Sequence, residues 1–395
     1  AKYQGEEPDG YKNRTFSLAN KYYISDSNTF FINFRSQKED GDQDGFQNDP
    51  PYGFVDKEDE LFSINTLALR SGIEIDQKNI NRIFDIDFFN TKRFYTGPYE
   101  YDGKRIGSSY SVRNSSFSNP FVYGVEMHKD EADVEGIKKD INQYHVFGEY
   151  IFQNNENIDL ALSARGSNHS KFGNNATGRL SLSYKFSGNL IGRGSLGTGY
   201  RSPSLYELFS PFSGNQGLLP EKSLTSDFGL NLFLLEEKIN IDTSFFNTEI
   251  TDEIVYDMTT FGYAQNDQKQ NRQGLELTIN FNPTSNYGFS LSAAHISDAE
   301  GNKIRRVPLN EVSLDGKIDI SEKLKGGFTF RHVNGLEDDG PLPDFTTLAF
   351  KSTYELTEKT NLYLRGENIL NEDYQTITDY STPGRSFYFG ISKDL

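Results

Sequence analysis

The sequence predicts an all-β fold: a transmembrane antiparallel β-barrel of about 19 strands, with short turns at one end and long loops at the other. Three observations lead to this prediction. Apolar residues recur at every second position in one segment after another, which is the period of a strand with one apolar face. The connections between these segments alternate between short and long. No run of the chain approaches the roughly 18 to 20 apolar residues that a transmembrane helix needs.

The period of two locates the individual strands. It is clear in RLSLSYKF (179–186), where every second residue is apolar, and in SFYFGISKDL (386–395), where Phe387, Phe389 and Ile391 share one face. The same period gives about 19 segments, and no convincing amphipathic helix interrupts them. In order, the segments lie near 11–24, 29–40, 60–74, 80–95, 103–117, 121–133, 141–153, 157–170, 176–186, 190–202, 226–236, 239–255, 262–281, 288–299, 311–320, 324–335, 345–356, 361–372 and 384–395.

The connections favour a barrel of the outer-membrane type. Short turns such as SDSN (25–28) and SGN (187–189) carry the residues of tight hairpins. Short turns on one side and long loops on the other are typical of outer-membrane barrels. Because backbone groups in lipid must be hydrogen-bonded within the protein, we expect the strands to close on themselves with their apolar faces toward lipid. The long polar stretches cover 41–59, 203–225, 299–310, 336–344 and 373–383.

Soluble all-β architectures fit less well. A β-propeller should repeat at about 40 to 50 residues, and no such repeat is found. A soluble sandwich should bury branched aliphatic residues, whereas these apolar stripes are rich in Phe and Tyr, as girdles at a membrane interface are.

The composition excludes several functions. The chain has 57 acidic and 40 basic residues, and a net charge of −17 argues against nucleic acid as a partner. The acidic surplus indicates a surface that attracts cations, with solvation of the loops as the simpler explanation. The absence of Cys removes thiolate nucleophiles and zinc–thiolate sites. The five His are scattered without a pair at ligand spacing, so we expect no histidine metal site. Ser202 and Ser204 have no accompanying His or Asp pattern, so we expect no enzyme, and we expect no redox cofactor.

Several stretches, in order, carry a family resemblance. They are GTGYRSPSLYELF (197–209), GNQGLLPEKSLTSDFGL (214–230), NRQGLELTINF (271–281), RRVPLN (305–310) and NLYLRGENILNEDYQTITDYSTPGRSFYFGISKDL (361–395). Their order and spacing resemble those of the TonB-dependent outer-membrane receptors. The ending, together with PDGYKNRTFSL (8–18), is most similar to the vitamin B12 (cobalamin) receptor group of that family.

The resemblance implies a function and a location. Receptors of this family lie in the outer membrane of Gram-negative bacteria and import a scarce large nutrient, here a corrinoid such as cobalamin, with energy supplied through TonB. A ferric siderophore or haem is the alternative cargo, and a passive porin is a further alternative that needs no TonB. Outer-membrane lipid would be the other partner.

The resemblance also implies that part of the family's architecture is missing. Its barrels have about 22 strands, within the even-numbered range of such proteins, and a plug domain with a TonB-contacting segment precedes them. We therefore expect residues 1–395 to be one barrel domain, truncated at the N-terminus and lacking the plug and the first strands.

An acidic stretch predicts a candidate metal site. EDGDQDGFQND (39–49) places Asp40, Asp42 and Asp44 at alternate positions, with Asp49 close behind, and carboxylate oxygens are the ligands that Ca²⁺ prefers. An EF-hand is rejected because Pro51 stands where its bidentate Glu belongs. The cobalamin receptors are similar in having Asp-rich external loops that bind Ca²⁺. A solvated acidic loop is the alternative.

Tyr200, Arg201 and Tyr206 are the candidate ligand-binding residues. They lie where a predicted strand ends and a long loop begins, so they could contact a ligand at the mouth. Packing against a plug or a neighbouring loop is the alternative. Arg365 and Glu367 have the same parity on their strand and are expected to face the lumen.

Overall fold

The computed structural model describes residues 10–47, 53–96, 100–115, 120–155, 157–378, 380 and 382–393. It consists of 21 strands and one short helix. Along the chain, the elements are β1 (Tyr11–Tyr23), β2 (Asn28–Gln47), β3 (Gly53–Gln77), β4 (Ile80–Tyr95), β5 (Glu100–Asn114), β6 (Phe121–Val134), β7 (Ile137–Asn155), β8 (Ile158–His169), β9 (Gly173–Ser187), β10 (Leu190–Arg201), α1 (Leu205–Phe209), β11 (Glu221–Leu234), β12 (Ile239–Thr251), β13 (Ile254–Asp257), β14 (Gly262–Gln265), β15 (Gln270–Thr284), β16 (Tyr287–Ser297), β17 (Asn310–Asp319), β18 (Leu324–Asn334), β19 (Phe345–Thr357), β20 (Thr360–Glu367) and β21 (Ser386–Lys393).

Nineteen of the strands form one antiparallel sheet in which neighbours in sequence are neighbours in space. The exceptions are β13 and β14, which form a separate hairpin, so that β12 pairs directly with β15. The predicted strand count and the all-β class are confirmed. Within the described residues β1 pairs only with β2, and β21 only with β20, so the expected closure of the sheet is not seen there.

One prediction about the connections is wrong. The stretch 41–59 is not a long loop, because β2 continues to Gln47 and β3 starts at Gly53, with their backbones paired. Backbone pairing does not need apolar side chains, so the hydropathy pattern ends before the strands do. The short helix α1 and the hairpin β13–β14 were also not predicted, since both are too short to show a period.

The sheet has an apolar outer face and a polar inner face. On β9, Leu180 and Leu182 are 45% and 47% exposed. A row of apolar side chains with this exposure to water would be unfavourable in a soluble protein. Arg179 points to the other side, where its guanidinium bonds the Ser195 hydroxyl at 2.8 Å. This alternation is the pattern of a strand between lipid and a polar lumen. Within the described residues, no helix is long and apolar enough to cross a bilayer.

Ion pairs join side chains along the inner face, most of them on different strands. The Arg70 guanidinium donates two hydrogen bonds of 3.0 Å to the Asp85 carboxylate, which also accepts one of 2.7 Å from Ser109. These pairs satisfy polar groups that the wall would otherwise leave without partners, and they fix side chains across strands. Other inner-face pairs are Arg105–Asp130, Arg165–Glu126, Arg193–Asp242, Arg331–Glu311 and Arg365–Glu367.

The connections differ along the sheet. Glu135 and Gly136, with φ of 52° and 88°, make the whole turn between β6 and β7, in the conformation of the two-residue hairpin turns that match strand twist. At the same end of the sheet, residues 202–220 join β10 to β11 and residues 298–309 join β16 to β17. The long connections of this end therefore belong mainly to the second half of the chain, and they form the mouth described next.

Candidate functional site

The connection between β10 and β11 is ordered by a capped helix. The Ser204 side chain accepts a hydrogen bond of 3.2 Å from the Glu207 backbone N–H, and the Glu207 carboxylate accepts one of 2.7 Å from the Ser204 backbone N–H. This reciprocal capping box satisfies two backbone donors that the first turn leaves free. It fixes the start of α1 directly beyond the end of β10.

Helix α1 lies on the inner face of the sheet. Leu205 is 5% exposed and packs against Ala132 and Val134 of β6 and Ile141 of β7. A second buried leucine, Leu208, is 1% exposed. Burial of these apolar side chains holds the connection against the inner wall instead of letting it extend away.

A cavity lies beneath this connection. Its volume is about 660 Å³, and it is bounded by residues 202–205 and by the inner faces of β4 to β7. Phe89 contributes an aromatic surface, while Arg105, Asp130 and Gln143 contribute polar groups. A pocket that combines an apolar surface with a few polar groups is the usual form of a small-molecule site.

Four tyrosines from different parts of the chain meet above the cavity. The Tyr206 ring lies 6.3 Å from that of Tyr101 and 6.2 Å from that of Tyr263, both in edge-to-face geometry, and Tyr256 is 5.4 Å from Tyr263. Burial raises the pKa of the Tyr263 hydroxyl. We call Tyr101, Tyr206, Tyr256 and Tyr263 the tyrosine cluster; its rings stabilise one another and present phenol edges at the mouth.

The hairpin β13–β14 is held against this connection by hydrogen bonds. The Tyr263 backbone N–H donates to the Ser213 carbonyl at 2.8 Å, and the Asn215 side chain donates to the Tyr263 carbonyl at 3.0 Å. The Leu219 N–H donates to the Gln265 side chain at 2.7 Å. The connection between β10 and β11 and the connection between β12 and β15, which contains the hairpin, therefore form one surface.

Arg201 joins three elements of the mouth. Its guanidinium pairs with the carboxylate of Glu221, at 2.9 Å for one contact, and with both carboxylate oxygens of Glu207 at 3.1 Å. Glu221 in turn accepts a hydrogen bond of 2.8 Å from the backbone N–H of Ile254 at the start of β13. Arg201 thus has a positioning role at the mouth, and direct contact with a ligand stays a prediction.

The structure does not bring Tyr200, Arg201 and Tyr206 together. Tyr200 has the same parity on β10 as Leu196, which is 50% exposed on the outer face, so strand alternation places it on the side opposite to Arg201. Tyr206 lies in α1 within the tyrosine cluster. Its partners Tyr101 and Tyr263 were missed by sequence reasoning, because nothing in a local pattern links positions so far apart.

A second group of side chains joins three other connections of the mouth. Asp338, between β18 and β19, accepts hydrogen bonds from Arg305 Nε at 2.7 Å and from Arg306 Nε at 2.8 Å, both between β16 and β17. It also accepts one of 3.0 Å from the Thr378 N–H, between β20 and β21. The Arg306 guanidinium, with help from these other donors, holds the pKa of the Asp338 carboxyl well below its usual range.

The predicted calcium ligands are only partly described. Asp40 accepts a hydrogen bond of 2.9 Å from Ser63 and lies 3.4 Å from Lys38, while Asp42 accepts one of 3.1 Å from the Gly10 N–H. The side chain of Asp44 and the whole of Asp49 lie outside the described residues. Among the side chains that the structure describes, no group of three or more His, Asp or Glu residues could hold a metal ion. Calcium binding therefore stays a prediction.

Comparison with known proteins identifies the family. A family model described as "TonB dependent receptor-like, beta-barrel" matches residues 2–369. The vitamin B12 transporter BtuB of Vibrio cholerae is 23% identical over 59% of this chain and 39% of its own length. BtuB of Photobacterium profundum is 21% identical over 97% of this chain and 64% of its own length, so the chain spans less than two thirds of the length of each of these relatives.

Solved structures share the fold. The ferric enterobactin receptor PfeA of Pseudomonas aeruginosa, a mutant in complex with enterobactin, superposes with a TM-score of 0.81. The superposition covers 98% of this chain and 70% of that one, at 12% identity. At this identity the similarity establishes the β-barrel fold alone. Because the family model matches nearly the whole sequence, the chain belongs to the TonB-dependent receptor β-barrel family, whose members lie in the outer membrane.

Proposed function

We propose that this chain forms the wall of an active transporter that imports a corrinoid such as cobalamin with energy supplied through TonB. Its family membership supports the mode of transport, and the names of its curated relatives support the cargo. A ferric siderophore or haem is the alternative cargo, because cargo in this fold is set by the mouth and not by the barrel.

The observation that carries the proposal is the tyrosine cluster above the cavity. Tyr206 links the β10–β11 connection to β5 through its contact with Tyr101, and to the β13–β14 hairpin through its contact with Tyr263. Tyrosine supplies a large rigid contact surface and a hydroxyl that hydrogen-bonds, a combination that suits a bulky ligand with both apolar and polar edges. The cavity of about 660 Å³, which Tyr101 also lines, offers space for part of such a ligand beside the cluster.

An uptake assay tests the transport mechanism. The full-length gene is expressed in a strain without its own corrinoid receptor, and uptake of labelled cobalamin is followed with and without TonB. We expect saturable uptake that is lost without TonB. Uptake that persists without TonB would favour a passive porin.

A binding assay tests the cargo and the mouth. Purified protein is titrated with cobalamin and with ferric siderophores, each with and without Ca²⁺, which also tests whether Ca²⁺ bound by Asp40, Asp42, Asp44 and Asp49 affects the affinity. Tyr206→Ala should weaken binding of the true cargo by about 30-fold, the effect of losing an interfacial hot-spot tyrosine. Tyr144→Ala is the matched control, because Tyr144 is 55% exposed on the outer face. Equal effects of the two variants would show that the tyrosine cluster is not part of the binding site.

A further inference from the structure

Two histidines that are distant in sequence meet on the inner face. His128 of β6 and His145 of β7 have their Nε2 atoms 3.3 Å apart and their ring centroids 4.9 Å apart. Their sequence neighbours Met127 and Tyr144 are 54% and 55% exposed on the outer face, so alternation directs both imidazoles inward. The two histidines stand in diagonal positions of one antiparallel pair, where Glu126 is opposite His145. Paired strands therefore hold the two rings in place.

The spacing of the two nitrogens fits a shared metal ion. Two nitrogens bound to one tetrahedral Zn²⁺ at about 2.0 to 2.1 Å lie about 3.3 to 3.4 Å from each other. The observed 3.3 Å matches this value. An N–H···N hydrogen bond between the rings is the alternative, because 3.3 Å is also within reach of such a bond. Neutral imidazole is a preferred ligand of Zn²⁺, Cu²⁺ and Ni²⁺.

A neighbouring hydroxyl orients one of the rings. His145 Nδ1 lies 2.8 Å from Ser167 Oγ of β8. When Nδ1 donates its hydrogen to this oxygen, the Nε2 lone pair of His145 is directed toward His128. A hydrogen bond at the remote nitrogen is the common way in which proteins fix the tautomer and direction of a metal-binding histidine.

The guanidinium groups beside the two rings occur in ion pairs. Arg165 Nη2 lies 2.7 Å from Glu126 Oε2, and Arg105 Nη2 lies 2.9 Å from Asp130 Oδ2. Each carboxylate offsets part of the repulsion that its guanidinium would exert on a bound cation.

We propose that His128 and His145 bind a divalent transition-metal ion of the imidazole-preferring class, Zn²⁺ or Cu²⁺, on the inner wall. The described residues provide no third His, Asp or Glu in a metal-binding arrangement with them, so the ion keeps open positions toward the lumen for water or a ligand group. The site is separate from the tyrosine cluster and does not depend on the identity of the cargo. It departs from the expectation of no histidine site, because sequence spacing does not show a diagonal pair across two strands.

Metal titration of the purified protein in detergent tests the proposal. Cu²⁺ is added alone, and affinity is measured by calorimetry while electron paramagnetic resonance reports the nitrogen ligands. We expect one ion with a two-nitrogen spectrum. His128→Gln and His145→Gln should each weaken binding about 10- to 100-fold, and Ser167→Ala should act in the same direction.

Two other histidines serve as matched controls. His295 contacts Asn310 at 2.8 Å and His332 contacts Thr346 at 2.9 Å. His295→Gln and His332→Gln should leave the affinity unchanged, and an equal loss in these variants would overturn the proposal. A spectrum of the unmodified protein with fewer than two nitrogens would also overturn it, independently of whether any variant folds.

Discussion

Replacing Asp338 by asparagine should loosen three connections at the mouth, those between β16 and β17, between β18 and β19, and between β20 and β21. The carboxylate accepts hydrogen bonds from Arg305 Nε at 2.7 Å, from Arg306 Nε at 2.8 Å and Nη2 at 3.2 Å, and from the Thr378 N–H at 3.0 Å. The Asp338 side chain is 1% exposed. One side chain therefore joins three connections that come from different strand pairs.

The expected magnitude follows from these contacts. Asparagine keeps one acceptor oxygen but loses the charge and turns an amide toward a guanidinium. A hydrogen bond to a charged group contributes about 1.5 to 3 kcal/mol, and solvent screening reduces this because Arg305 and Arg306 are 48% and 51% exposed. We expect the free energy of local opening to fall by about 2 to 3 kcal/mol, which is about 30- to 150-fold faster amide exchange.

Hydrogen exchange measured by mass spectrometry checks this value. The peptides to follow cover 298–309, 335–344 and 368–378, which hold the donors and the acceptor. Asp339→Asn is the matched control, because Asp339 is 63% exposed and contacts Arg305 Nη2 at 2.8 Å, an exposed pair that contributes at most about 1 kcal/mol. Equal exchange in the two variants, or unchanged exchange in Asp338→Asn, would refute the reasoning.

The same carboxylate predicts a pH dependence. The pKa of Asp338 is lowered in the folded protein, chiefly by the Arg306 guanidinium. A depressed pKa means that the stabilisation is complete above the unfolded value of about 3.9 and is lost as the pH falls toward the folded value. Protection of the three connections, corrected for intrinsic exchange, should be constant from neutral pH to about 5 and decline below about 4. In Asp338→Asn this decline should be much smaller.

Two further predictions concern the wall. Leu182→Arg on the outer face should lower the free energy of unfolding in lipid vesicles by about 2 to 4 kcal/mol, whereas Ser183→Arg on the inner face should lower it by much less; equal effects in urea titrations would contradict the assignment of faces. Gly72→Ala would place its Cβ 2.3 Å from the Phe84 carbonyl oxygen, and this crowding should cost about 1 to 3 kcal/mol in the same titration. Gly188→Ala, whose Cβ would meet no atom within 4 Å, should be nearly neutral, and a fully stable Gly72→Ala protein would show that the wall accommodates the methyl group.

The sequence by itself determined the wall. Alternation between apolar and polar side chains is a property of each strand alone, so RLSLSYKF identified β9 and its two faces without knowledge of any partner. The order of the strands followed as well, since short turns join neighbours in sequence into neighbours in space. The family resemblance added the outer-membrane location, which membership of the family confirms, and the mode of transport, which stays a proposal.

Only the tertiary structure decided which side chains from distant parts of the chain meet on the wall and at the mouth. Tyr101, Tyr206 and Tyr263 form one cluster because α1 packs on β6 and β7 and because the β13–β14 hairpin is bonded to the connection beside it. His128 and His145 become neighbours through the register of β6 and β7, which a one-residue shift would abolish. A local period reports which face a side chain occupies, but contacts across strands depend on register and on how long connections fold back. Neither quantity is encoded within a single segment.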